Sequence, residues 1–366
     1  MKRWIIIVGI VAIGSPAHAQ LGGIVRKAQE AQERKQQFDD LNITEAEEIE
    51  LGADVSAKVR QRFGVVQDPA VHKYVSLAGR VLVEQTTRPK LPWTFIVLDT
   101  DGVNAFAAPG GYIHITRGAL GLLKSEAELA GVLGHEIAHV AQKHTVNAIR
   151  KSKAVQLGTG EALSNRAMFL DLLANRVYDM VLENSFDRGD ELDADKEGIL
   201  LVQKAGYAGT GLGDFLTRLG ERNKGVAEKN GLFASHPETQ ERIGKVKVLA
   251  GAKPGASGAA RYVATIKYQP VDITKVAVIV PGSAGLAGSE KEKPQPKKEE
   301  DPKRKGFGLS NLTKSVTPGK NEQQVAASGG ARGVGPDRLA KGGDNPNPVK
   351  ISISTADLAA FKKGIA

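Results

Sequence analysis

Over most of its first 250 residues the chain repeats apolar positions at helical spacing, and one stretch in the middle switches to strand-like residues. Thr44-x-x-Glu47 is a capping-box signature and predicts a helix running from there toward Phe63. Asp68-Pro69 predicts the start of a second helix, with proline in its first turn and Val71, Tyr74, Leu77 and Val81 along one side. From Trp93 to Leu98 the residues are β formers, and Asp101-Gly102 marks a tight turn. Asn104 to Ile115 supplies the rest of a small antiparallel sheet. Pro109 and the pair Gly110-Gly111 interrupt a strand there, and proline suits a sheet edge rather than its centre. An exposed edge accepts an extended peptide by strand addition, although a plain surface hairpin accounts for the same residues equally well. Ser125-x-x-Glu128 is another capping box, opening a helix predicted to continue to about Lys151. More helix is predicted over 153–184, over Asp187–Lys204 with Gly206 as its stop, over Leu212–Arg222, and from Pro237 to Leu249. The expected fold class is α+β, mostly helical, with a small antiparallel sheet.

Both ends depart from this pattern. Lys2 and Arg3, the apolar run Trp4–Ile13 and Ala17-His18-Ala19 have the order of a secretory leader (residues 1–19) cleaved after Ala19. A membrane anchor is the competing reading, but about ten apolar residues fall short of the roughly 20 that span a bilayer. No later segment has the length or purity of a transmembrane helix, so the expected location is the periplasm. Residues 20–43 read as a polar, solvated helix. After the stretch 44–250 comes a short extension, 251–281, with strand-like runs at Tyr262–Tyr268 and Val276–Val280. Residues 282–366 form a Gly/Pro/Lys-rich tail, disordered by composition to about Lys350 and ending in a short amphipathic helix at Thr355–Ile365.

Composition narrows the chemistry. Cysteine is absent, which excludes disulfides, a thiol nucleophile and thiolate metal ligands. Any metal must be held by His, Asp or Glu. The formal charge is +9, but much of the lysine lies in the C-terminal tail, where the Lys/Glu run 291–305 has mixed sign and reads as a solvated linker rather than an anion-binding arm. Nucleic-acid binding is not expected.

The chemistry concentrates at Gly134-His135-Glu136-Ile137-Ala138-His139-Val140, an H-E-x-x-H sequence inside an apolar helical run. Residues four apart share a helix face, so His135 and His139 are spaced to grip one metal ion. Glu136 is turned about 100° away and can take a proton from metal-bound water. A catalytic zinc needs a third protein ligand and an open position. A third histidine six residues on is ruled out by Thr145, and Gln142 stands where the accompanying glycine would be. A cysteine is not available. A carboxylate from a later helix remains, and Glu191-Leu192-Asp193-Ala194-Asp195-Lys196-Glu197-Gly198 offers one. Glu191 is the proposed ligand, with Asp195 one turn on to accept a hydrogen bond from a ligating imidazole. The small Ala194 and Gly198 would allow a close helix crossing. Alone, this segment reads as an acidic helix start favoured by the helix dipole.

Together, His135-Glu136-x-x-His139, Glu191-x-x-Ala194-Asp195-x-x-Gly198, and Ser235-His236-Pro237 with Arg242 resemble the zinc metallopeptidases of peptidase family M48. That family includes the CAAX prenyl proteases and their soluble periplasmic relatives. Asn104 to Gly111 also resembles the family's cleft-bordering strand, which implies substrate contacts at Asn104, Ala105, Phe106, Ala107, Pro109 and Gly110. The resemblance covers about residues 40–250. It implies a gluzincin fold, one zinc per chain on His135, His139 and Glu191, and Glu136 as the base. His236 is expected either to donate to the oxyanion or to occupy the zinc's open position and hold the enzyme latent. Arg242 would serve the same oxyanion or brace the loop. The membrane-spanning helices of the prenyl proteases are missing, so prenylated substrates are not implied. The remaining histidines are read differently: His144 as facing away from His139 into solvent, His72 and His114 as surface or core residues.

The expected function is a zinc endopeptidase acting on unfolded or misassembled envelope proteins, with the envelope assembly machinery as a further expected partner. The alternative is a chaperone-like protein that binds extended chains in the same cleft with little turnover, the helical stretch 153–184 acting as a lid.

Overall fold

The computed structural model describes residues 43–151, 166–183, 186–222, 239–251, 253–272 and 345–365. The leader, the polar helix within 20–43, the strand at Val276–Val280, Ser235, His236 and Pro237 lie outside these residues. Helix α1 spans Glu45–Phe63, and Thr44 and Glu47 complete both halves of its capping box. Helix α2 spans Pro69–Val83, with the Asp68 carboxylate accepting from the amides of Ala70 and Val71. Strands β1 (Thr94–Leu98), β2 (Ala105–Ala108) and β3 (Tyr112–Thr116) follow, with a 3-10 turn at Pro109–Gly111 between the last two.

The sheet is mixed rather than antiparallel. Its order is β1-β3-β2, with β3 antiparallel to β2 and parallel to β1. The Asp101-Gly102 turn reverses the chain without pairing the strands on either side of it. Instead β2 goes to the far edge, and the Pro109–Gly111 turn folds β3 back between the two. Both faces of the sheet are covered. Phe95, Val97, Ala105, Ala107, Ile113 and Ile115 join the larger core, and Ile96, Leu98, Phe106 and Ala108 join a second core with α1 residues such as Val55 and Phe63. A strand buried on both faces has no polar alternation, which is why these runs are nearly all apolar.

Helix α3 is Arg117–Leu122, and α4 is Glu126–Ala141. Every residue of α4 from Glu126 to Val140 is buried, Glu126, Glu128, His135, Glu136 and His139 included, so its polar side chains must find partners inside the fold. The predicted continuation to Lys151 is interrupted. Lys143 takes φ 59°, and a separate helix α5 runs from His144 to Lys151. Beyond it come α6 (Arg166–Glu183), α7 (Arg188–Lys204), α8 (Gly211–Arg222) and α9 (Thr239–Ala250). Helices α7, α8 and α2 and strand β2 all pack on α4, and α6 packs on α1, α5 and β2.

Two expectations for the C-terminal part are corrected. Tyr262–Tyr268, predicted as a strand, begins in a helix, α10, at Ala259–Thr265. Its core contacts are Tyr262 and Ile266, four apart, and the Tyr262 hydroxyl donates to the Leu120 carbonyl at 2.6 Å. Residues 345–350, read by composition as disordered, run extended along the fold. Val65 donates its amide to the Asn345 carbonyl, and Arg60 donates to that of Pro346, each at 2.7 Å. A final helix, α11, covers Thr355–Lys363 and packs on α2. Among the described residues no helix is long and apolar enough to cross a membrane.

Candidate active site

Helices α4 and α7 cross at a pair of glycines. A Cβ at Gly198 would lie 2.8 Å from the backbone nitrogen of His135 and 2.9 Å from the carbonyl carbon of Gly134. Without side chains the two backbones touch, and the first turns of α7 come level with the two histidines of α4. Asp187 caps α7 by accepting from the Asp190 amide, which starts the helix in time to put Glu191 in its first turn.

At this crossing His135 Nε2 and His139 Nε2 lie 3.1 Å apart. The Glu191 carboxylate reaches both, at 3.5 Å from His135 Nε2 and 3.4 Å from His139 Nε2. One donor atom from each of the three residues lies within 4.8 Å of the others, and all three side chains are buried. This is the only such cluster among the described residues. Glu136 sits beside them on α4, 1% exposed.

Behind this group the partners are specific. Asp195 Oδ1 lies 3.0 Å from His135 Nδ1. Arg242, on α9, donates through Nε and Nη2 to Asp195 at 2.8 and 2.6 Å, and its Nη1 lies 2.6 Å from Glu191 Oε2. Arg242 therefore braces two carboxylates from the rear. Burial would raise the Asp195 carboxyl, but the Arg242 guanidinium and His135 hold it down at about 2. Burial likewise lowers His135, and Asp195 and Glu191 beside it reverse this, raising the imidazole to about 9.

The donor set fits a divalent cation. Two imidazoles and a carboxylate are the mixture zinc accepts when no thiolate is available. Among the described residues of the site, the buried carboxylates Glu136, Glu191 and Asp195 face one buried guanidinium, Arg242. With His135 neutral, as a metal ligand must be, two negative charges are left in excess, which a divalent ion would balance; without the ion, the proton that Asp195 and Glu191 hold on His135 offsets one of them.

Other predicted site residues fall in different places. Asn104, Ala105, Phe106, Ala107, Pro109 and Gly110 are all buried, although β2 is an edge strand. The edge is thus not exposed as expected, because α4 and α6 cover it. Gly110, at φ 72°, donates its amide to Glu48 Oε1 at 3.2 Å, which ties the turn after β2 to α1. His72 and His114 are core residues. Nε2 of His114 is 3.0 Å from the Ser56 hydroxyl, and Nε2 of His72 is 2.9 Å from the Val66 carbonyl.

His144 is a correction. It is 5% exposed, not solvated, and its Nδ1 lies 3.0 Å from His139 Nδ1. At 100° per residue an unbroken helix would turn His144 away from His139, and the break at Lys143 cancels that geometry. Phe186 was also missed. Its ring stacks on His139 at 4.0 Å between centroids and 23° between planes. Neither residue has a local sequence signal for this contact, since a non-glycine left-handed residue such as Lys143 is not marked by composition.

A profile of Peptidase family M48 matches residues 69–250. A Vibrio cholerae relative, "Putative beta-barrel assembly-enhancing protease", is 28% identical over 210 residues, 55% of this chain and 43% of its own length. A Yersinia pestis relative, "Beta-barrel assembly-enhancing protease", is 25% identical over 209 residues, 54% of this chain and 42% of its own. The "Mitochondrial metalloendopeptidase OMA1" of Schizosaccharomyces pombe is 26% identical over 219 residues, 58% of this chain and 63% of its own length. The chain thus spans less than half the length of the two bacterial relatives. The matched residues contain the α4–α7 crossing with His135, Glu136, His139, Glu191, Asp195 and Arg242, and the chain belongs to Peptidase family M48.

Proposed function

We propose that the chain is a zinc-dependent endopeptidase of the bacterial periplasm that hydrolyses peptide bonds in unfolded or misassembled envelope proteins. The observation that carries this reading is the convergence of His135, His139 and Glu191 at a buried, net-negative point beside Glu136. His135, His139 and Glu191 would hold one zinc per chain. When bound, zinc acts as a Lewis acid that acidifies water and polarises a carbonyl. Glu136 then serves as the base, taking a proton from the attacking water onto its carboxylate and returning it to the leaving amine. Asp195 fixes His135 by accepting from Nδ1, and Arg242 keeps Asp195 charged and holds Asp195 and Glu191 in place. We assign His236 to the oxyanion or to the open metal position, as its place in the family motif implies.

The substrate class is supported by the names of the bacterial relatives, which refer to enhanced beta-barrel assembly. The same names suggest the envelope assembly machinery as a partner, and together with the leader-like N-terminus they support the periplasm. An extended substrate is proposed to run along Asn104–Gly110, reaching it when α6 lifts from β2. One observation favours the chaperone-like alternative: His135, Glu136, His139 and Glu191 are between 1 and 3% exposed, so a closed site with low basal turnover is consistent with the geometry.

Metal content and casein cleavage, measured together on three proteins, separate the readings. Wild type should carry one zinc and cleave casein. Glu136→Gln should keep its zinc and lose about 10²–10⁴ in rate. Glu191→Gln should lose zinc and activity together. Equal zinc loss in both variants would contradict the assigned roles, and casein binding unaffected by Glu136→Gln, without cleavage by any protein, would favour the chaperone.

A further inference from the structure

The two histidines of the metal cluster are supported differently from behind. His135 meets a carboxylate directly, through Asp195 at 3.0 Å. His139 meets another imidazole. Its Nε2 faces His135 and Glu191, and its Nδ1 lies 3.0 Å from Nδ1 of His144. Two nitrogens at that distance share one proton, so the bond has a direction. If His139 gives its Nε2 lone pair to a metal, its neutral ring carries the proton on Nδ1. His139 must then be the donor, and His144 Nδ1 the acceptor. A neutral His144 that accepts at Nδ1 carries its own proton on Nε2. That nitrogen lies 3.3 Å from Asp193 Oδ2 and 4.0 Å from Asp190 Oδ1.

We infer that His144 and Asp193 form a relay, Asp193 carboxylate to His144 to His139, that fixes the tautomer and ring orientation of the proposed ligand His139. Helix α7 thereby supplies the ligand Glu191, the direct support of His135 in Asp195 and the remote support of His139 in Asp193. His144 can take part because the chain breaks at Lys143 and re-enters helix at His144, which turns its ring back toward α4. The two rings meet nearly edge on, at 5.0 Å and 78°, while Phe186 covers the other side of His139 at 4.0 Å. Asp193 is 44% exposed at its side chain, so the relay runs from a buried site to the surface of α7. His144 and Asp193 are positioning residues. They act on the metal only through His139.

The inference rests on His139 binding zinc through Nε2, and the experiment separates the two claims. Full-length chain labelled with 15N-histidine and loaded with zinc is examined by two-bond 1H–15N correlation. The expected spectrum shows His139 protonated at Nδ1 and His144 as the neutral Nε2–H tautomer. A His144 protonated at Nδ1, or at both nitrogens, overturns the relay. Zinc affinity by chelator competition gives a second readout. His144→Leu should weaken zinc binding about 10-fold to 100-fold. Asp193→Ala, a change at a half-exposed side chain, should weaken it severalfold. His144→Gln keeps an acceptor for His139 and a donor for Asp193, and should come within severalfold of wild type. Unchanged affinity in Asp193→Ala together with a Gln variant no better than the Leu variant overturns the relay, and if the Leu variant does not fold, unchanged affinity in Asp193→Ala alone does so. A wild-type chain that takes up no zinc overturns the metal reading and the relay together, whereas zinc uptake with the wrong His144 tautomer overturns the relay alone.

Discussion

His114 lies in β3 on the sheet face that packs against α1, its ring stacked on Phe106 at 5.1 Å and 21°. Burial lowers its pKa to about 3 from an ordinary 6.5. The sign of the consequence follows from which state binds the proton. Above pH 6.5 both states are neutral at this residue and the native packing is fully retained. Below it the unfolded chain takes up a proton that the native chain refuses, so stability falls as pH drops from 6.5 toward 3. The slope from this one group is about 1.4 kcal/mol per pH unit. Urea unfolding at several pH values across that window should show a steeper loss in wild type than in His114→Gln. Equal slopes would mean that His114 accepts a proton without leaving its place. His114 and His144 make the same point about single residues. Neither role could be read from spacing: His114 needs the sheet's second face to be covered, and His144 needs the chain break at Lys143.

At the scale of elements, the site depends on how closely α7 approaches α4. Gly198 has no room for a Cβ, because the neighbours are backbone atoms of Gly134 and His135 and cannot rotate away. Gly198→Val should therefore push the helices apart, costing about 1–3 kcal/mol. It should also weaken zinc binding, because Glu191 and Asp195 move with α7. Gly244, in α9, is the comparison. A Cβ there meets nothing within 4 Å, and Gly244→Ala should stabilise by up to about 1 kcal/mol through helix propensity while leaving zinc affinity unchanged. Thermal unfolding and chelator competition on both variants check this. A Gly198→Val protein with wild-type zinc affinity would show that the crossing does not set the position of Glu191. Small residues at Ala194 and Gly198 were legible as a sign of close approach. The identity of the facing residue, Gly134, was not, because nothing in one helix states the register of another.

At the scale of the whole molecule, the C-terminal segment closes onto the start of α4. Glu126, 0% exposed, accepts from the hydroxyls of Tyr74 and Tyr207 at 2.7 and 3.2 Å and pairs with Arg261 of α10. Arg261 in turn lies over the Phe361 ring of α11 at 4.2 Å and donates to the Phe361 carbonyl at 3.0 Å. Phe361 also meets Tyr74 edge on at 5.8 Å. Phe361→Ala should cost about 3 kcal/mol of unfolding free energy. Zinc content should be retained, since the proposed ligands lie on α4 and α7 and α11 packs on α2. Urea unfolding beside metal analysis tests this, and a change below about 1 kcal/mol would show that α11 contributes little to the fold. Composition alone placed 282–350 outside any core, and for residues 345–350 that judgement fails. Two partly buried apolar residues, Val349 and Ile353, with the backbone bonds of Asn345 and Pro346, are enough to seat an extended segment on a surface that is already folded.

Local signals along the chain specify the helical elements with strong caps and period, the α+β class, and the half-sites His135-Glu136-x-x-His139 and Glu191-x-x-Ala194-Asp195. These depend on local backbone hydrogen bonding and on residue types at fixed spacing, which a linear chain carries in full. The tertiary structure alone decided the insertion of β3 between β1 and β2, the burial of the Asn104–Gly110 edge, the bracing of Glu191 and Asp195 by Arg242, and the contact of His144 with His139. Each of these joins residues whose separation is bridged by a turn, a helix break or a helix crossing. Their relative positions follow from packing free energy summed over the whole core rather than from any local preference of the chain.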